Sequence, residues 1–363
     1  MGNTRLAGMA SARAPPSPGT TTSRCALWHR TTRGSGDGGG RDLGEAGGGA
    51  SQSWATAAAS SLRRDVPAGY PAIPGRKRAL LVGVSYKGTS YELEGTVNDV
   101  DLMSTLLSDS FGFPSDSILI LTEELGAGDS SRMPTRDNVM SAMRWLVEGS
   151  EAGDSLVFHF SGHGVQKLDV SGDEVDGYNE AICPVDFEAS GKIVDDEIND
   201  TIVRPLGPGV KLHAIVDTCH SGSILDLPFL CRLSRTGYWQ WENYCRRPDL
   251  AKGTSGGLAI SISGCSDDQK SADSSGFSSE QSAAIGAMTY SFIKAVESEP
   301  GTTYGRLLGA MRATIRDGQG SGRRLLPGRL GSFVRKMIPS GAVQEPQLCS
   351  SEMFDIYKKP FLL

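Results

Sequence analysis

Ser155-Leu156-Val157-Phe158-His159-Phe160 runs straight into Ser161-Gly162-His163-Gly164, and Val210-Lys211-Leu212-His213-Ala214-Ile215-Val216 runs into Asp217-Thr218-Cys219-His220-Ser221-Gly222. Each is a short, nearly continuous apolar run closed by glycine, the pattern of a strand buried on both faces. Outward from these, Ala79–Val84, Ser117–Leu121 and Leu258–Ser263 read as further strands. Apolar residues recur near helical spacing over about 97–107, and over 135–147 with Thr135 as N-cap behind Pro134. Two more helices are expected near 283–298 and 303–315. Short apolar strands alternating with helices predict an α/β domain, a mostly parallel sheet covered on both faces.

That domain occupies residues 76–363. Residues 1–75 are rich in Gly, Ala, Ser, Arg and Pro, with almost no aliphatic periodicity, and read as a disordered pro-segment. The first 36 residues hold five arginines and no acid, a transit-peptide-like bias that leaves organelle targeting open. The formal net charge is −6 with both signs spread along the chain, which excludes the basic stripe of a nucleic-acid binder. Seven scattered cysteines without a C-x-x-C pair suggest neither a disulfide framework nor a zinc finger. A reducing, cytoplasmic setting is expected. No apolar run approaches the roughly 20 residues that span a bilayer, so no membrane partner is expected.

In parallel α/β sheets, ligands bind beyond the carboxyl ends of the strands. Two strands here end in reactive residues, His163 and Cys219. If those strands are neighbours, an imidazole and a thiol reach the same edge, and a thiol needs such a base to become a nucleophilic thiolate near neutral pH. Either residue alone would read as packing. His159 and His213 lie inside strands and are expected in the core, while Cys183, Cys231, Cys245 and Cys349 have no base in their local sequence.

At this point the chain resembles a known family. Phe158–Gly164 and Asp217–Gly222 are similar to the two catalytic blocks of metacaspases, caspase-like cysteine peptidases of family C14, nearest to plant type I members. Leu93-Glu94-Gly95 with Asn98-Asp99, Asp176–Ile182, Val194–Ile198, Gly253–Gly257 and Gln344–Leu348 agree with it. The resemblance implies a caspase-like three-layer α/β/α sandwich, with a large-subunit region over about 76–230, a loop over about 231–255 and a small-subunit region over about 256–363. It implies an endopeptidase with a Cys219–His163 dyad, and an oxyanion hole from the backbone N–H groups of Gly164 and Cys219. A monomer acting on polypeptides in programmed cell death or regulated proteolysis is expected. The rival reading is a non-catalytic caspase-like scaffold.

The resemblance also implies a substrate sign and an ion. Asp99, Asp217 and the neutral wall Ser161 match a pocket for P1 Arg or Lys, since such a side chain is read by carboxylates. Asp195, Asp196 and Asp226 match calcium ligands, with Asn179 where the family has a fourth aspartate. Asp195-Asp196-Glu197 also suits a helix N-terminus on electrostatic grounds alone. Basic sites suggest self-processing: Arg63-Arg64 or Arg78 to release the pro-segment, Arg247 or Lys252 to nick the loop.

Overall fold

Lys77–Gly83 forms strand β1, and its alternation shows how the layers are built. Leu80 and Val82 pack into one apolar cluster, Ala79 and Leu81 into the other, as successive side chains of a strand must. The first cluster includes Val139, Met143 and Leu146 of a helix at Arg136–Val147, here α2. The second includes Val100, Met103 and Leu107 of α1 (Thr96–Phe111), Phe292 of α3 (Ala287–Ser298) and Leu308 of α4 (Tyr304–Gly320). Two helical layers therefore enclose one sheet. Fully burying a leucine in such a layer contributes about 1.5–3 kcal/mol.

The structure is a computed structural model that describes residues 77–169, 172, 177–218, 222–234, 237–244, 252–266, 286–299, 301–320 and 344–363. The expected pro-segment, residues 1–75, lies outside the described residues. The remaining strands are β2 (Ile118–Thr122), β3 (Ser155–Ser161), β4 (Gly164–Leu168), β5 (Tyr178–Ile182), β6 (Ile193–Val194) and β7 (Lys211–Asp217). Then come β8 (Phe229–Leu233), β9 (Trp239–Asn243), β10 (Leu258–Ser266) and β11 (Gln344–Ser350). The main sheet has the order β2-β1-β3-β7-β10-β11-β8-β9. Its first five strands are parallel, and β11, β8 and β9 extend it by antiparallel pairing. A second, antiparallel sheet joins β4, β5 and β6.

The mostly parallel sheet between helices agrees with the sequence, and Thr135 caps α2 by accepting the Asn138 N–H through its hydroxyl. The loop expected over about 231–255 contains strand among its described residues. β8 and β9 form a hairpin there, and the Trp239 and Trp241 alternation that marks β9 is too short to stand out. β11 carries Pro346, which argues against a central strand. It is tolerated because β11 pairs with β8 only over Leu348–Ser350, so Pro346 faces β10 alone.

Candidate active site

β3 and β7 are parallel neighbours, and their last residues, Ser161 and Asp217, lie opposite each other. His163 and Cys219 each follow two residues later, so the register brings the two chain exits out of the sheet at one level. Cys219, with His220 and Ser221, lies outside the described residues; His163 is described in full. Gly164 opens β4 opposite Ile182.

His163 is 1% exposed and held from several directions. Its backbone N–H donates to Tyr86 Oη at 3.0 Å, and that hydroxyl donates to the Cys183 carbonyl at 2.5 Å. The Tyr86 ring lies 4.9 Å from the imidazole. A Cβ on Gly162 would come within 3.0 Å of the Phe160 ring and 3.1 Å of Tyr86 Oη, so a side chain there would press on the residues that hold His163. Nε2 lies 2.8 Å from the Tyr91 carbonyl oxygen. A carbonyl only accepts, so Nε2 carries the proton and the neutral ring has its lone pair on Nδ1. Burial lowers the His163 pKa below the usual imidazole value, which keeps that neutral form at physiological pH.

Asp99, Ser161 and Asp217 come together as the resemblance implied. Asp99 sits in the first turn of α1, and its Oδ2 accepts the Ser161 hydroxyl at 2.7 Å. Asp217 Oδ2 accepts the Thr289 N–H at 2.7 Å at the N-terminus of α3, where the helix favours a negative charge. Its Oδ1 is buried and has no hydrogen-bond partner. Both carboxyls are nearly inaccessible, and no ion pair joins either to a basic residue among the described residues. Burial pushes Asp217 up to about 6, held back by the N–H groups of Thr289, Gly286 and Met288. Burial, then the charge of Asp217, raise Asp99 well above the carboxylate range, while Ser161 opposes them.

A second carboxylate group gathers around the helical turn Asp195–Ile198. Asp195 accepts the N–H groups of Glu180 at 2.7 Å and Asp196 at 2.8 Å. Burial, then Glu180, with Asp226 a smaller contributor, push its pKa up to about 9. Asn179 donates from Nδ2 to Asp196 Oδ2 at 3.4 Å, while its Oδ1 is buried without a hydrogen-bond partner. Asp226 pairs with Lys252, which also pairs with Asp196 at 2.7 Å. Glu180, which sequence reasoning left unassigned, is buried, accepting from Gln166 at 3.3 Å and from the Ser223 hydroxyl. Its acidic place between Asn179 and Ala181 in the family-like block was the available signal.

The donor set of this group is all oxygen, with a buried amide oxygen to spare, which suits a hard cation such as calcium. In the arrangement seen, no three His, Cys, Asp or Glu side chains among the described residues are placed to hold a metal ion. Lys252 provides the positive charge instead.

The expected cleavage points divide. Arg78 is a correction: it is the second residue of β1, opposite Leu156 of β3, and its guanidinium donates to the carbonyls of Trp145 at 3.1 Å and Glu148 at 2.7 Å. A peptidase cannot reach that bond without stripping a central strand from the sheet. Arg63, Arg64, Arg76 and Arg247 lie outside the described residues.

A neutral, tautomer-fixed histidine at one strand end, a cysteine at the matching point after its neighbour and buried carboxylates beside them define a cysteine hydrolase of caspase-like arrangement. Comparison with known proteins makes the assignment specific. The family model of the metacaspase, peptidase C14 domain matches residues 77–228. Metacaspase-1 of Arabidopsis thaliana is 53% identical, covering 82% of this chain and 81% of its own length. Metacaspase-2 of the same plant is 50% identical, covering 81% and 74%. Metacaspase-1A of Neurospora crassa is 35% identical, covering 79% and 65%. The chain belongs to the metacaspases, and it is a cysteine-type endopeptidase acting on polypeptides. No helix among the described residues is long and apolar enough to cross a membrane.

Proposed function

We propose that this metacaspase is a calcium-stimulated peptidase cleaving after Arg or Lys, acting as a cytoplasmic monomer in regulated proteolysis such as programmed cell death. The observation that carries the specificity is the Asp99–Asp217 pair. Both carboxyls are buried, the charge of Asp217 adds to the cost of charging Asp99, no basic residue pairs with them among the described residues, and Asp217 Oδ1 lacks a hydrogen-bond partner. Burying such charge is costly unless it is paired, and a P1 guanidinium or ammonium would supply both the charge and the missing donor.

The chemistry follows from the imidazole's tautomer. Nδ1 of His163 takes the Cys219 thiol proton, and the thiolate attacks the scissile carbonyl carbon. The backbone N–H groups of Gly164 and Cys219 hold the oxygen as it becomes negative. His163 then returns the proton to the leaving amine, and water attacks the thioester to release the acid and restore the thiol. The Tyr91 carbonyl supports the imidazolium formed midway, as an acceptor facing the Nε2 proton. Asp195, Asp196 and Asp226, with Asn179 Oδ1, would hold calcium. The ion would supply a divalent charge tying β5 and the turn at 195–198 to the loop that carries Asp226, seven residues after Cys219.

The test is hydrolysis of matched fluorogenic peptides with P1 Arg, Lys or Asp across a calcium titration. Arg and Lys peptides should be cleaved and the Asp peptide refused, with rates rising as calcium is added. Preference for Asp would overturn the pocket assignment, and rates indifferent to calcium would overturn the ion.

A further inference from the structure

Lys252, unlike the strand residue Arg78, lies among the candidate calcium ligands. Its ammonium pairs with Asp196 Oδ1 at 2.7 Å and with Asp226. The two carboxylates come from separate segments, the helical turn at 195–198 and the loop following Cys219. The Lys252 side chain is 14% exposed, far from the solvated state lysine ordinarily keeps. Asn199 fixes the Asp226 segment by donating to the carbonyls of Leu225 at 2.8 Å and Asp226 at 3.3 Å. Asp196 is fixed through its N–H to Asp195. The acceptors are thus set by the fold, and the lysine reaches in to them.

We propose that the Lys252 ammonium is the protein's own occupant of the divalent-cation site, so that calcium and Lys252 compete for Asp196 and Asp226 and the entry of one expels the other. This rests on the calcium reading above and deepens it by naming what the ion must displace. Two cations cannot share those carboxylates at contact distance without strong mutual repulsion. The chain after Lys252 is pinned: Thr254 Oγ1 donates to the Gly257 carbonyl at 2.5 Å, Ser255 Oγ to the Arg204 carbonyl at 2.7 Å, and the Gly257 N–H to the Leu206 carbonyl at 3.1 Å. A displaced Lys252 therefore swings from a fixed turn into water while β10 stays in place. The exchange uncovers a lysine only when the ion has arrived, and so links ion binding to presentation of a basic side chain.

The experiment uses the full chain carrying Cys219→Ala, which cannot consume itself, with and without Lys252→Met. Calcium binding is measured by calorimetry, and acylation of Lys252 by an amine-reactive ester is followed by mass spectrometry across the same titration. Lys252→Met should bind calcium about tenfold or more tightly, the size of an ordinary coupling between competing ligands. Labelling of Lys252 should rise with the same midpoint as binding. Equal affinity in the two chains overturns the competition. Calcium uptake with unchanged labelling overturns it too, leaving the calcium reading intact. Uptake by neither chain removes both. If Lys252→Met does not fold, the labelling of the Cys219→Ala chain decides alone.

Discussion

Two groups of acids lie near the proposed catalytic centre, and their charge is balanced in different ways. Asp99 and Asp217 sit inside the sheet's helical cover with a hydroxyl, a helix N-terminus and no described cation. Asp196 and Asp226 sit at the second sheet with a lysine drawn in from the chain itself. Burial makes an unpaired carboxylate costly at Asp99 and Asp217, and to a lesser degree at Asp226, while Asp196 is partly open to solvent. Where the protein supplies its own counter-charge, the group can be held closed. Where the described residues offer none, the group suits a charge that would arrive with a ligand, as proposed for the P1 side chain.

The largest effect belongs to the dyad on which both groups depend. Cys219→Ala or His163→Ala should lower kcat for a P1-Arg peptide by about 10³-fold or more, the usual cost of removing a nucleophile or its base. Thermal melts should show the fold retained. Substantial hydrolysis in either variant would leave the carboxylates beside a centre that does no chemistry. Next comes Asp217→Asn. Losing a charge-assisted pair to the P1 cation should cost kcat/KM roughly 10²–10³-fold, about 3–4 kcal/mol. Removing the buried charge should leave the melting temperature of the substrate-free variant at pH 7.5 equal to or above that of the parent. A fall in both activity and stability would show the carboxylate to be a helix cap alone.

The pH dependence is expected to be smaller and to separate pocket from dyad. Asp217 has its pKa pushed up to about 6, and Asp99 is raised as well, so the folded pocket binds protons more tightly than the unfolded chain does. Their contribution to stability is therefore present at acid pH and is lost as pH rises through about 6. Recognition runs the other way. Below about 6 the pocket loses its charge, and KM for P1-Arg peptides should rise by up to about tenfold per pH unit. Alkylation of Cys219 by iodoacetamide reports the dyad instead, whose imidazole has its pKa lowered by burial, so its curve should be distinct from that of the pocket. Coincident curves would assign the transition to the dyad.

Much of this was legible in the sequence because it lies on the strongest pattern in the chain. β3 and β7 are continuous apolar runs, and reactive residues after their ends stand out. Their adjacency was only a condition, since pairing order is set by packing that no local spacing reports; Ser161 opposite Asp217 resolved it. The β8–β9 hairpin was missed because its strands are five residues each, with half-exposed tryptophans rather than an apolar core run. Lys252 was read as a cleavage point because a basic side chain in a polar stretch looks solvated. Its partners stand 26 and 56 residues away, and only the folded chain brings them to it. Tyr86, which bridges His163 and Cys183, carried no signal beyond its type.

The smallest effect tests whether the pocket is tuned as well as charged. Ser161 donates to Asp99, and that bond opposes the burial and the Asp217 charge that raise the Asp99 pKa. Ser161→Ala removes a donor and leaves a buried carboxylate oxygen without it, worth about 1–2 kcal/mol against the charged form. Asp99 should then hold its proton to higher pH, so the KM rise described above should begin at higher pH in the variant. At pH 7 the P1-Arg KM should increase a few-fold, by about 3- to 10-fold, with kcat nearly unchanged because the dyad is untouched. P1-Lys and P1-Arg peptides should suffer alike, since both need the same charge. A loss confined to one of them would mean that Ser161 contacts the substrate directly, and that the hydroxyl recognises the side chain rather than the state of Asp99.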